Sequence, residues 1–426
     1  MQKNLSIMAT ELTSRGFLQV NVVNMINNAP IPNATVTIAY AGEPNRTLEQ
    51  LPTNSSGSTE NVALAAPPPA YSLAPSSVQP YSQYTLNITA PGFKPAIIIG
   101  TEILPDVNAI QPVHLEPEND SLPAENPIHI PDHTLYGTYP PKIPEAEIQP
   151  VGQREEDGEI GLSRIMVPQT VVVHDGIPTN SSAASYYVPY RDYIKNVAAS
   201  EIYATWPQAA IMANVLAIMS FTLNRVYTDH YRQRGYDFTI TSSTAFDHKW
   251  IFGRNIYERI SVIVDEIFDN YLSRPEVRQP ILTQHCDGWQ VRCLDRGWMT
   301  QWGSCSMGQR GYSPLEILRH FYGDTMYINT AEEISGIPSY WPGYDLTVGS
   351  SGQKVQQLQE QLAGIAAVYP AIGPVMPDGM YGPATASAIR TFQSIFGLPE
   401  TGVVDFAAWY KISHIYVAVS GIEALM

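Results

Sequence analysis

The chain has 426 residues, 24 of them basic and 40 acidic, for a formal net charge of -16. That length allows two to four domains with cores of their own, and 44% hydrophobic against 15% charged residues excludes global disorder. The acidic balance argues against a nucleic-acid partner, three cysteines cannot build an all-disulfide scaffold, and no run of about 18 apolar residues marks a membrane span.

The first residues hold an early Glu11 and no long apolar core, so no classical signal peptide is expected. Residues 1–150 contain 21 of the 35 prolines and 5 basic against 13 acidic groups, unlike the rest of the chain. Within them GFLQVNVVN and ATVTIAY alternate apolar and polar residues as half-buried strands do, separated by the turn cluster NNAPIPN. YTLNITAPGFKPAIIIG places two further strand-like runs around Pro91-Gly92. A small antiparallel β-sandwich is predicted for residues 1–116, without a catalytic cluster. The segments PIPNATVTI and YTLNITAPGFKP resemble carboxypeptidase-regulatory and transthyretin-like domains. Residues 117–165 are dominated by proline and acidic groups, which reads as an extended, accessible linker and a natural site for proteolytic nicking.

Residues 166–340 are read as a mixed α+β catalytic domain. Ile194, Val197, Ala198 and Glu201 follow the i, i+3, i+4, i+7 spacing of one helical face, so a carboxylate ends an apolar stripe. A second helical run over 208–227 is apolar nearly all round and is expected to be buried. Desolvation there favours the neutral acid, which a proton-donating glutamate needs. A buried glutamate satisfied by backbone donors would show the same pattern.

The stretch VPYRDYIKNVAASEIYATWPQAAIMANVLAIMSFTLNR, followed about a hundred residues later by GWMTQWGSCSMGQRGYSPLEILRHFYG, resembles the catalytic domain shared by stage II sporulation protein D and the LytB amidase enhancers. Departures from its signature fall at Ile202, Ala213-Asn214 and Asp295-Arg296. The resemblance implies a peptidoglycan lytic transglycosylase in which Glu201 protonates the bond between muramic acid and glucosamine. Glu201 would then take the proton of the attacking primary hydroxyl. Thr300, Gln301, Trp298 and Trp302 from the second motif are the implied substrate contacts. Ser242, Asp247 and His248 in TITSSTAFDHKW join them, with Asp247 as a second carboxylate if the enzyme hydrolyses. Capping of the next helix is the alternative role for these loop residues. An N-acetylglucosaminidase, a LytB-like amidase enhancer and a non-catalytic wall-binding protein remain as alternative functions.

No cofactor is required by these motifs. Zinc is the candidate metal, because His285, Cys286, Cys293 and Cys305 fall within 21 positions. Small buried thiols, or one disulfide with a spare thiol, are the other reading.

Residues 345–415 resemble the peptidoglycan-binding type 1 domain and predict a C-terminal three-helix module. Val355, Leu358 and Leu362 share one helix face; Ala388, Ile389, Phe392 and Phe396 share another. Asp378, Gly379, Tyr381, Gly382 and Thr385 stand where that family's binding loop lies, unless they mainly cap and turn. The order of parts is similar to the clostridial spore cortex-lytic enzymes in precursor form. That resemblance implies a multidomain α+β zymogen in the spore, at the cortex and coat. It also implies cortex peptidoglycan with muramic-δ-lactam as substrate and a subtilisin-like germination protease as activator.

Overall fold

The computed structural model describes residues 12–118, 127–151, 165–293, 297–335 and 341–420. It shows an N-terminal β-rich unit, a central mixed α+β core and a C-terminal three-helix module.

Seven N-terminal strands form most of two sheets: β1 (Ser14–Asn24), β2 (Thr35–Tyr40), β3 (Thr47–Pro52), β4 (Val62–Ala66), β5 (Ser82–Thr89), β6 (Ala96–Ile103) and β7 (Asn108–Leu115). Alternation places Leu18, Val20 and Val22 of β1 in one core with Val36 and Ile38 of β2. The sheets are not purely antiparallel, because β1 runs parallel to β7 from Phe17↔Asn108 to Asn24↔Leu115. Both sheets end on strands from later in the chain. Ile256–Tyr257 pairs with β7, and β8 (Ile128–His129) pairs with β6. Each added strand covers backbone groups that an open edge would leave unpaired.

In the central core, α1 (Tyr190–Glu201) carries the predicted apolar face and α2 (Gln208–Tyr227) has the predicted span. They are followed by α3 (Glu258–Ile267), α4 (Gln301–Gln309) and α5 (Pro314–Tyr322). α2 is long and apolar enough to cross a membrane, but 83% of its most apolar window is buried inside the protein. It is the central packing element, touching α1, α3, α4 and α5. The close approach of α4 to α2 depends on Gly308, where a Cβ would sit 3.1 Å from both Ala210 and Pro207. A three-stranded sheet, Ser185–Pro189, Thr170–His174 and Ile240–Thr241, flanks these helices.

The described part of the expected linker, residues 127–151, is not a free spacer. It is mostly irregular, yet its polar groups are bound along the central core, as with Gln149 N–H donating to Gln279 Oε1 at 2.9 Å and Gln279 Nε2 donating to Gln149 O at 3.0 Å. Residues 119–126 and 152–164 of that segment lie outside the described residues.

The C-terminal module consists of α6 (Gln353–Val368), α7 (Pro383–Ile395) and α8 (Phe406–Ser420). Val355, Leu358, Leu362, Ala388, Ile389 and Phe392 form its core, with Phe396 half-buried beside them. Its loop is organised by buried Gln359. That amide donates to Asp378 Oδ1 at 3.0 Å, Met380 O at 3.0 Å and Thr385 Oγ1 at 3.2 Å, and accepts from Gly379 N at 2.8 Å. Gly379 has φ +72°, a backbone region that side chains disfavour. Replacing Gln359 with alanine strands the buried Gly379 N–H. It is expected to destabilise the module by about 1–3 kcal/mol, measured by urea unfolding of the full chain.

Candidate metal centre

Three chain segments meet at one buried point. Glu201 is the last residue of α1, His248 lies in the loop after Ile240–Thr241, and His285 begins the short strand His285–Cys286. That strand pairs in parallel with Met299–Thr300, so the second sequence motif fixes His285 through the backbone. Relative exposures are 3% for Glu201, 0% for His248 and 6% for His285. One ligand atom from each residue lies within 4.8 Å of the others, and no other such trio of His, Cys, Asp or Glu occurs among the described residues.

The carboxylate is held from several directions. Glu201 Oε1 accepts the Lys249 N–H at 2.7 Å, and Oε2 lies 2.7 Å from His285 Nε2. Gln301 Nε2 donates to the Glu201 carbonyl at 3.1 Å, fixing the helix end. Burial alone would raise the Glu201 pKa. His285, Lys142 and the Lys249 N–H outweigh it and hold the carboxyl below its ordinary range.

The imidazoles differ from ordinary core histidines. His248 stacks on His285 with ring centroids 5.4 Å apart and planes 13° apart, and packs on Phe221 at 4.5 Å. Among the described residues, neither ring nitrogen of His248 has a hydrogen-bond partner, and His285 Nδ1 has none. Burial, with the positive charges of Lys142 and Arg225 and the nearby His285, pushes the His248 pKa well down, leaving a neutral imidazole with a free lone pair. Two imidazole nitrogens and a carboxylate oxygen suit zinc, and orphaned buried nitrogens are what a missing cation would leave behind.

The other sequence-predicted residues take different places. Asp247 is fully buried and held by four hydrogen bonds: Oδ1 accepts Arg225 Nε at 2.7 Å, while Oδ2 accepts Thr241 Oγ1 at 2.6 Å, Thr241 N at 2.9 Å and Tyr231 Oη at 2.5 Å. It anchors the His248 loop, and these contacts tie it to the protein rather than to the trio. Ser242 Oγ donates to Asp175 Oδ1 at 2.7 Å. Thr300 precedes α4, and Gln301 acts through the Glu201 carbonyl. Trp298 and Trp302 are buried, and Trp302 packs on Trp206 at 5.2 Å rather than lining an open groove.

The thiol ligand set is corrected. Cys286 and Cys293 form a disulfide, which removes both thiolates. Cys305 is buried on α4, where desolvation pushes its thiol up to about 12. Only His285 of the four proposed metal ligands belongs to the trio. His248 was expected as a substrate contact, and nothing in its local sequence marks it as a ligand. In the C-terminal loop, Asp378, Gly379 and Thr385 bind Gln359, Tyr381 Oη donates to Gly402 O at 2.9 Å, and Gly382 precedes α7.

Residues 351–412 match the family model described as "Putative peptidoglycan binding domain". Over 73 residues, 17% of this chain, the sequence is 44% identical to the zinc D-Ala-D-Ala carboxypeptidase of Streptomyces albus G. The chain spans 27% of that protein's length. Among solved structures, the Bacillus anthracis TIE protein is 12% identical with a TM-score of 0.18, over 24% of this chain and 17% of that one. The GBS52 minor pilin of Streptococcus agalactiae is also 12% identical with a TM-score of 0.18, over 26% and 49%. Overlaps this slight bear on neither fold nor activity.

These observations correct the expected glycan-cleaving mechanism. A lytic transglycosylase needs a protonated carboxyl at the glycosidic oxygen. The Glu201 carboxyl is held below its ordinary range beside His285, and the Asp247 carboxyl is likewise lowered by its pairing with Arg225 and the hydroxyls of Thr241 and Tyr231. The carboxylate lies in a three-residue cluster that could hold a metal ion, and a protein similar over 73 residues of this chain is described as a zinc D-Ala-D-Ala carboxypeptidase.

Proposed function

We propose that this protein is a zinc-dependent, peptidoglycan-modifying hydrolase that cleaves amide bonds of the carboxypeptidase or amidase type. The observation that carries it is the buried trio of Glu201, His248 and His285, in which both ring nitrogens of His248 and Nδ1 of His285 have no hydrogen-bond partner among the described residues. A peptidoglycan-binding module in the same chain supports the wall polymer as substrate. Spore cortex and an activating subtilisin-like protease, as partners, rest on sequence resemblance alone.

Glu201, His248 and His285 would hold the ion. When bound, zinc supplies Lewis-acid polarisation of a carbonyl oxygen, the chemistry an amide requires and a glycosidic oxygen does not offer. The protein residues prepare that site. The Lys249 N–H fixes Glu201 Oε1, and Gln301 fixes the helix end that carries it. His285 Nε2, 2.7 Å from Glu201 Oε2, would be the ring nitrogen that faces the ion. Low His248 basicity keeps its imidazole neutral and available. Burial of all three side chains excludes bulk water and strengthens each electrostatic contact.

The test is end-group chemistry on purified peptidoglycan. Zinc-loaded full-length protein is expected to release new free amino groups or terminal amino acids. Chelation should abolish the release and zinc should restore it. New saccharide ends without new amino groups, unaffected by chelator, would contradict the proposal.

A further inference from the structure

Residues 127–151 run along the segments that carry the trio as a strap, and their anchors are unusual in where they land. Thr134 Oγ1 donates to the carbonyl of Ser200 at 2.9 Å, next to Glu201. Lys142 Nζ donates to the carbonyl of Asp247, next to His248. Glu145 N–H donates to Gln284 Oε1 at 3.0 Å and Gln284 Nε2 returns to Glu145 O at 2.7 Å, next to His285. Each ligand's preceding residue is therefore tied to the strap, and the strap cannot leave without loosening all three ligand segments.

Charge holds it down as well. The Glu145 carboxylate grips Arg225 at 2.5 and 3.0 Å, and Glu147 grips Arg274 Nη2 at 2.7 Å. Lys142 is buried, with its ammonium 4.8 Å over the Phe221 ring and within electrostatic reach of Glu201. His248 packs on that same ring. A lysine ammonium placed there gives the Glu201 carboxylate a positive charge to face. A divalent cation would do the same, and both charges in one dry site would repel. A polymeric substrate, moreover, cannot touch three side chains this deeply covered.

Resting on the metal-centre reading above, we propose that the strap and the cation are alternative occupants of this site. With the strap seated, Lys142 supplies the positive charge. Binding of zinc displaces Lys142, frees the strap from the ligand segments and opens the trio to the wall polymer. The strap thus lowers the apparent zinc affinity by the fraction of molecules in which it is raised.

The experiment is zinc titration of the full chain by calorimetry, with hydrogen exchange read over residues 127–151. Lys142→Met is expected to bind zinc at least tenfold more tightly than wild type, and Lys142→Arg to stay near wild type. Zinc is expected to reduce amide protection across the wild-type strap. Glu147→Gln loosens the strap far from the ligands, keeps the test decisive if Lys142→Met fails to fold, and should also tighten zinc. Equal zinc affinity in all variants with an unchanged strap would overturn the competition and leave the metal centre standing. Zinc binding to none of them would overturn the metal centre itself.

Discussion

His248→Leu is expected to lower zinc affinity by more than about 100-fold, since outer partners of a metal ligand alone are worth 10–100-fold. The same variant is expected to make the metal-free protein more stable by about 1–3 kcal/mol. Both effects follow from the unpartnered nitrogens of a fully buried ring. In the metal-free chain they have lost water and gained no hydrogen bond, so an apolar side chain of similar volume relieves the cost. The gain is opposed only by the lost ring contacts with Phe221 and His285. A histidine kept for packing would behave oppositely, losing stability on substitution with no change in metal affinity. Calorimetric zinc titration and chelated urea unfolding of the two proteins separate these outcomes.

Arg254→Met carries the second large effect. Arg254 joins the central core to the N-terminal sheets through a fully buried pair with Glu102, at 2.5 and 3.2 Å. Its Nε also donates to Ala199 O at 3.0 Å, two residues before Glu201. Removing the guanidinium leaves a carboxylate buried without its cation, a change that costs about 3–5 kcal/mol. Adding Glu102→Gln should recover a substantial part, because the stranded charge goes too. Urea unfolding of the two single variants and the double variant measures this. A loss under about 1 kcal/mol for Arg254→Met would mean the pair is solvated and the two units are only loosely joined. The N-terminal unit is thus fastened to the central core rather than appended to it. Trp206 Nε1 adds to the joint by donating to Ser72 O at 2.8 Å.

Local periodicity made several elements legible. The apolar face ending in Glu201 is α1, and the all-apolar run is α2, because both signals are contained within one helix. β7 escaped notice because Pro112 sits mid-strand, a position that argues against a strand until its two neighbours are known. The metal centre was half legible. Glu201 was placed by its own helix, but His285 lies 84 positions away, and only tertiary folding brings them to 2.7 Å. Cysteines beside His285 drew attention as ligands, yet spacing cannot separate a thiolate pair from the Cys286–Cys293 disulfide. Trp298 and Trp302 looked like sugar platforms because aromatic type is the same in a core and in a groove. The segment 127–151 is ambiguous in sequence for a related reason. Its prolines and acids have a linker's composition, and their meaning depends on Arg225 and Arg274, which are remote in sequence.

Elemental analysis of the full chain, equilibrated with zinc and freed of excess, tests the centre most directly. One zinc per chain is expected in wild type and in Cys305→Ser, with none retained in His248→Leu or Glu201→Gln. A wild type without zinc, or variants that retain it as wild type does, would contradict a metal centre built on Glu201, His248 and His285.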